Sequence, residues 1–144
     1  VTGAVRRIRR FNRFYTAFLG VLDRHFLESP YSLTEVRVLY EICHGSESLA
    51  RDIGESLGVD RGYLSRIIDS FIRSGLVRAS PSARDRRQHI IRLTQKGKAV
   101  FGALEARSEK SISRAIDALS PGQQEELVGH MERIQELLAR RTEK

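Results

Sequence analysis

Two short apolar-patterned segments meet at a glycine turn, Gly58-Val59, and lead straight into a pair of alternating β-type stretches. Few folds accept that order. Leu49, Ile53 and Leu57 recur at steps of four and predict a short helix over Leu49–Leu57. Asp60 is a good N-cap for the next helix, whose apolar face is Leu64, Ile67, Ile68, Phe71 and Ile72 and whose end is set by Gly75. Two short helices around a tight turn, the second apolar inside and polar outside, form a helix-turn-helix pattern. Leu76–Ala79 and His89–Leu93 then read as two strands joined by Ser80–Gln88, a hairpin with a long basic tip.

The charge of the chain is concentrated in this region. Asp60 to Lys98 holds ten basic side chains against three acidic ones, a surplus of seven that equals the net charge of the whole chain. The remaining residues balance, with 15 basic and 15 acidic groups. A solvated charged face is the plainest reading of such a cluster. Carried on a helix-turn-helix and a hairpin tip, it is suited to the phosphate backbone of nucleic acid.

The flanking segments read as helices. From Ala4 to Leu27, the residues Val5, Ile8, Phe11, Phe14, Tyr15, Phe18, Leu19, Val21, Leu22 and Phe26 cover an arc of about 200°, wider than the stripe of about 100° needed to lie on one core. That width implies two partners, the second being another subunit. Arg6, Arg9, Arg10, Arg13 and Arg24 form the solvated opposite side. Ser29-Pro30-Tyr31 breaks this helix, and Ser32-Leu33-Thr34-Glu35 has the form of a capping box for a helix over Leu33–Cys43 with Val36, Leu39, Ile42 and Cys43 at apolar spacing. Gly45 and Ser46 loosen the chain beyond it. Thr94 caps a helix running to Leu119, with Phe101, Leu104, Ile112, Ala115 and Leu119 on one side. Ser120-Pro121-Gly122-Gln123 starts the last helix, and Leu127, Met131, Ile134 and Leu138 give it a seam suited to another helix.

The expected fold is therefore mainly α with a small β-hairpin wing. Residues 33–97 form the winged helix-turn-helix lobe, and residues 4–32 and 100–141 supply N- and C-terminal helices that form a dimerisation bundle. At 144 residues and 40% apolar content the chain can build a real core. No run is apolar enough for a bilayer or a signal peptide, and one cysteine permits no internal disulfide, so a cytoplasmic protein is expected.

Other chemistries find little support. Cys43 reads as packing on the apolar side of its helix rather than as an oxidant sensor. His25, His44, His89 and His130 show no metal-ligand spacing, and no phosphate-cradling loop or catalytic triad is evident, so neither a cofactor nor an enzymatic activity is expected. Glu47, Asp52 and Glu55 read as a charged outer face.

In a helix-turn-helix the second helix enters the major groove, and residues near its start reach the bases. Here these are Asp60, Arg61, Gly62, Tyr63, Ser65 and Arg66. Arg66 offers a fork to a guanine edge, while Arg61, Tyr63 and Ser65 suit phosphate or mixed contacts, and Gly62 permits a close backbone approach. Arg73 sits near the flanking backbone at best. Arg84, Arg86 and Arg87 at the hairpin tip suit the adjacent minor groove. Asp85 among them is expected to hold a neighbouring arginine by a charge-assisted bond.

Asp85, Arg87, Leu93-Thr94 and Gly97 match a D-x-R-x5-L-T-x2-G wing signature, and with the helix order they resemble the MarR family of winged-helix transcription regulators. The resemblance implies a homodimer with interlocked terminal helices on a pseudo-palindromic operator in double-stranded DNA, with repression relieved by a ligand or oxidant. It places Arg66 among the base-contacting positions and Arg87 in the minor groove, with Asp85 its acidic partner. It also implies a pocket where the first, second and fifth helices meet, for a small aromatic or other effector. Arg13, Phe14, Phe18, Tyr31 and Tyr40 are candidates to line it, although each aromatic reads first as core. A narrower likeness, through Phe11-Asn12-Arg13-Phe14-Tyr15, Ser29 to Glu35 and Gly62-Tyr63-Leu64-Ser65-Arg66, is to the regulator half of MarR/N-acetyltransferase fusion proteins. Three functions stay open on the sequence: a dimeric DNA-binding repressor, the regulatory portion of such an acetyltransferase, and an interaction module that has kept the fold without DNA binding.

Overall fold

The computed structural model describes residues 2–23, 28–45 and 48–139. Arg24, His25, Phe26 and Leu27 of the expected first helix, Ser46 and Glu47, and residues 140–141 of the expected last helix lie outside them, as do the side chains of Val21 and Leu22. The elements in order are α1 (Gly3–Asp23), α2 (Leu33–His44), β1 (Ser48–Leu49), α3 (Ala50–Leu57), α4 (Arg61–Arg73), β2 (Val77–Pro81), β3 (His89–Leu93), α5 (Gln95–Ile116) and α6 (Pro121–Ala139). This is a mainly helical fold with a small antiparallel sheet, the winged-helix arrangement. Two compact units divide it, Val1–Ser108 and Glu109–Lys144.

The first unit is organised around one buried cluster. Val38, Leu39 and Ile42 of α2, Ile53 of α3, Leu64, Ile67, Ile68 and Phe71 of α4, Leu76, the strand residues Val77, Ile91 and Leu93, and Phe101 and Leu104 of α5 meet there. Phe71 is 1% exposed, and removing a ring so enclosed costs about 3–5 kcal/mol through lost burial and the cavity left behind. Local chemistry sets where the helices begin and end. Ser32 and Glu35 form the expected reciprocal capping box at the start of α2. Gly58 ends α3 at φ +61 and Gly75 follows α4 at φ +74, left-handed conformations in which a side chain would be strained. The Lys96 ammonium donates to the Ser74 carbonyl at 2.7 Å, placing a cation at the negative end of α4.

Several sequence expectations are corrected. The expected two-stranded hairpin is the larger part of a three-stranded sheet ordered β1-β3-β2, in which Ser48 pairs with Ile91 and Leu49 with Ile90. Leu49 is thus the extended residue before α3 rather than its first helical residue. A two-residue strand carries no readable alternation. Its anchor is the buried Ser48 hydroxyl, which donates to the Glu41 and Ile42 carbonyls, both at 3.4 Å. Cys43 is exposed, not packed. Val38, Leu39 and Ile42 form the inward stripe of α2, and at about 100° per residue Cys43 falls roughly a quarter-turn from its centre, past the Leu39 edge. Ile72 of α4 is 42% exposed for the same kind of reason, at the margin of a stripe centred on Leu64, Ile68 and Phe71. α5 ends at Ile116 rather than Leu119, and β2 continues to Pro81, paired with His89.

α1 leaves much of its apolar arc uncovered. Val5, Ile8, Phe11, Phe14 and Leu19 are exposed, Phe14 to 66%. In the second unit, Ser120 and Gln123 exchange backbone and side-chain bonds at 2.9 and 3.3 Å, forming the expected capping box with Pro121 at the first helical position. The Gln124 amide donates to the Ile116 and Leu119 carbonyls and closes the preceding turn. Val128, Met131, Ile134, Leu137 and Leu138 of α6 are exposed.

Candidate nucleic-acid interface

The start of α4 is fixed by Asp60, whose Oδ2 accepts the Tyr63 backbone N–H at 3.0 Å. With Leu64, Ile67, Ile68 and Phe71 turned into the core, helical geometry leaves Arg61, Gly62, Tyr63, Ser65 and Arg66 exposed along the opposite side. The Arg66 guanidinium lies over the Tyr63 ring, 6.0 Å from its centroid, so the ring limits its freedom without neutralising it. A Cβ at Gly62 would meet the Asp60 carboxylate at 3.3 Å, and glycine keeps the outer surface of this first turn low.

The wing loop is built from its own backbone. The Ser82 N–H donates to the Gln88 carbonyl at 2.8 Å, and the Gln88 N–H donates to the Asp85 carbonyl at 3.0 Å. The buried Ser82 hydroxyl accepts the Arg84 N–H at 3.2 Å. Asp85 Oδ1 accepts the Arg87 backbone N–H at 3.0 Å. The expected charge-assisted bond from Asp85 to a neighbouring arginine is thus present, but it is made to the Arg87 backbone, and the carboxylate pairs with no guanidinium among the described residues. A carboxylate two residues from an N–H closes the smaller ring, which a flexible guanidinium cannot match for economy. Arg84, Arg86 and Arg87 are exposed.

The base of the wing explains its sequence signature. The Thr94 hydroxyl donates to the Gly75 carbonyl at 2.6 Å and accepts the Gly97 N–H at 3.0 Å, while the Thr94 N–H donates to the Leu76 carbonyl at 2.9 Å. A Cβ on Gly97 would overlap the Leu76 carbonyl, so only glycine fits.

Between α3, α4 and the wing lies a cleft of about 780 Å³ that brings Arg61 and Ser65 of the helix to the same concavity as Arg87 of the wing. Gly62, Tyr63, Arg66, Arg84, Asp85 and Arg86 do not line it; they stand on the helix surface and at the loop tip. No ion pair among the described residues engages Arg61, Arg66, Arg84, Arg86 or Arg87. Sequence reasoning missed Arg51, Glu55 and His89, which also line the cleft. Arg51 and Glu55 are one helical turn apart, the spacing that could have paired them on one face.

The candidate effector residues are more scattered. Phe14 and Phe18 stack at 6.4 Å on α1, where Arg13 is exposed; Tyr31 sits edge-on to Phe71 at 6.3 Å. Tyr40 stacks on His44 at 4.1 Å and meets Phe101 edge-on at 6.3 Å. None of the five lines the cleft between helix and wing. Among the described residues no cluster of metal-ligating side chains occurs, and no helix is long and apolar enough to cross a membrane.

A family model described as "MarR family" matches residues 29–88. The uncharacterized HTH-type transcriptional regulator YfiV of Bacillus subtilis is 27% identical over 96 residues, which are 67% of this chain and 60% of that protein. The chain thus spans under two thirds of that relative. Wild-type MarR of E. coli in its apo form superposes with a TM-score of 0.74 at 18% identity, over 93% of this chain and 98% of that one. CouR of Rhodococcus jostii RHA1, solved bound to p-coumaroyl-CoA, does so with a TM-score of 0.68 at 19% identity, over 85% of this chain and 87% of that one. The narrower likeness to acetyltransferase fusions stays a resemblance of short motifs. Taken with the glycine turn, the exposed start of α4 and the Thr94–Gly97 wing base, these matches show a chain that is similar to the MarR family over residues 29–88 and that has the winged-helix fold of the E. coli MarR structure.

Proposed function

We propose that the protein is a sequence-specific regulator of transcription that binds DNA as a homodimer and represses until an effector releases it. Arg61, Gly62, Tyr63, Ser65 and Arg66 enter the major groove on α4, with Arg66 reading a base edge. Arg84, Arg86 and Arg87 follow the adjacent minor groove on the wing, where Asp85 holds the loop in shape. The observation that carries this reading is the shared cleft, in which Arg61 and Ser65 face the same concavity as Arg87. The guanidinium groups of Arg61 and Arg87 form no ion pair among the described residues, so a phosphate backbone meets charges that need no prior release.

The dimer is supported by the exposed apolar residues of α1 and α6, which a soluble protomer gains by covering. An effector is supported by CouR, a protein of the same fold solved with p-coumaroyl-CoA. Arg13, Phe14, Phe18, Tyr31 and Tyr40 remain the residues proposed to receive one, through differential affinity for a lobe arrangement that misfits the operator.

Binding-site selection from a random duplex pool, followed by fluorescence anisotropy at two salt concentrations, tests the reading. A two-fold symmetric site with half-sites about 10 bp apart is expected, with affinity falling steeply as salt rises. Selection that enriches no sequence would defeat it.

A further inference from the structure

A second cleft, of about 230 Å³, lies where β3 meets the end of α2, with Cys43, Gly45 and Ser48 on one side, the apolar Ile42, Ile91 and Leu93 at its floor, and the charges of Arg78, Arg92 and Lys98 around it. Among the described residues no carboxylate lines it. Arg78 and Arg92 are direct partners across β2 and β3. Strand alternation sets them on the face opposite Ala79 and His89, which line the larger cleft. Two like charges opposed across adjacent strands are destabilising in isolation, and Lys98 adds a third from the first turn of α5, the positive end of that helix. None of the three joins an ion pair among the described residues, and the polar contact of Arg92 is a 3.4 Å bond to the Ser80 hydroxyl.

We propose that this cleft binds a small polyanion, a metabolite bearing a phosphate ester or several carboxylates, held by the Arg78 and Arg92 forks with Lys98 as the third charge. Planar guanidinium groups match the paired oxygens of phosphate and carboxylate. The volume fits a compact anion rather than a drug-sized ligand, whose sites run to about 300 Å³ and more. The anion would neutralise charges that now repel, and it would do so on the strands that carry the wing loop. This site shares Ile91 with the larger cleft but none of its charged residues, and it does not depend on the reading given above.

Cys43, the single cysteine of the chain, lies at the cleft and reports its occupancy. The intact protein is labelled with neutral N-ethylmaleimide and melted in the presence of pyrophosphate or citrate, with ionic strength held constant by potassium chloride. Both anions are expected to slow labelling several-fold in a saturable way and to raise Tm as ligands of the folded state do. Arg78→Gln/Arg92→Gln should lose both effects, with a Tm in chloride no lower than wild type because opposed charges are gone. Lys98→Gln should weaken them, and Arg86→Gln at the wing tip should keep them. The proposal is overturned by anion effects no larger than those of chloride, or by responses that survive in both the double variant and Lys98→Gln. Protection of Cys43 by a short DNA duplex but by neither small anion would also overturn it, assigning the cluster to DNA backbone instead.

Discussion

The Thr94 side chain reaches back to Gly75, its hydroxyl donating to the Gly75 carbonyl at 2.6 Å across 19 residues of sequence. One hydroxyl therefore joins the end of α4, the start of the wing and, through the Gly97 N–H, the start of α5. Thr94→Val keeps the shape and removes all of these bonds. A loss of about 1–3 kcal/mol in urea unfolding is expected, with Thr94→Ser close to wild type.

Gly97→Ala forces a methyl group against the Leu76 backbone, which cannot move without dislocating β2. Expected is a loss larger than that of Thr94→Val, read as a lower unfolding midpoint or loss of soluble protein. Gly102→Ala on the same helix meets nothing within 4 Å and serves as the control, with stability unchanged or raised by up to about 1 kcal/mol.

Asp85 separates two mechanisms. Its Oδ1 accepts the Arg87 amide, a role that asparagine can fill without charge. Asp85→Asn should hold operator affinity at or above wild type, while Asp85→Ala should lower it by loosening the loop. Equal losses in the two variants, measured by anisotropy, would show that the negative charge itself matters.

Arg66→Ala should cost about 1–3 kcal/mol of binding and relax preference at particular base pairs. Arg87→Ala should weaken binding across many sequences and flatten the salt dependence, because a groove or phosphate contact carries less sequence information. The two profiles, compared over a panel of single-base operator variants, distinguish reading from gripping.

Phe14 and Ile8 are exposed on α1, so replacing them with glutamate should leave the unfolding of the lobe nearly unchanged. In a dimer that covers this arc, the same changes bury a charge without a partner and should shift light scattering toward monomer. Operator affinity should fall with it.

Legibility followed the range of the interaction. The capping boxes of Ser32 with Glu35 and of Ser120 with Gln123, the Asp60 cap and the Gly58 turn were readable because each is closed within a few residues. The outward residues of α4 were readable because its inward ones are strongly periodic. Ser48 in β1 was not, as its partner Ile91 lies far along the chain and two residues show no pattern. Cys43 was misread since apolar spacing alone does not say which edge of a stripe the core covers. For Asp85 the arginine it holds was legible from charge, but not that the bond runs to the Arg87 backbone, which a two-residue closure decides.

The bond between Ser82 and Gln88, with the buried Ser82 hydroxyl beneath Arg84, leaves only the five residues 83–87 between two fixed posts. The backbone of the finger is thus restrained within the protein itself, whatever the wing meets. If the wing follows a groove as proposed, immobilisation on contact falls on three arginine stems rather than on the main chain, and a mutation that unlocks the posts should weaken binding even with every guanidinium intact.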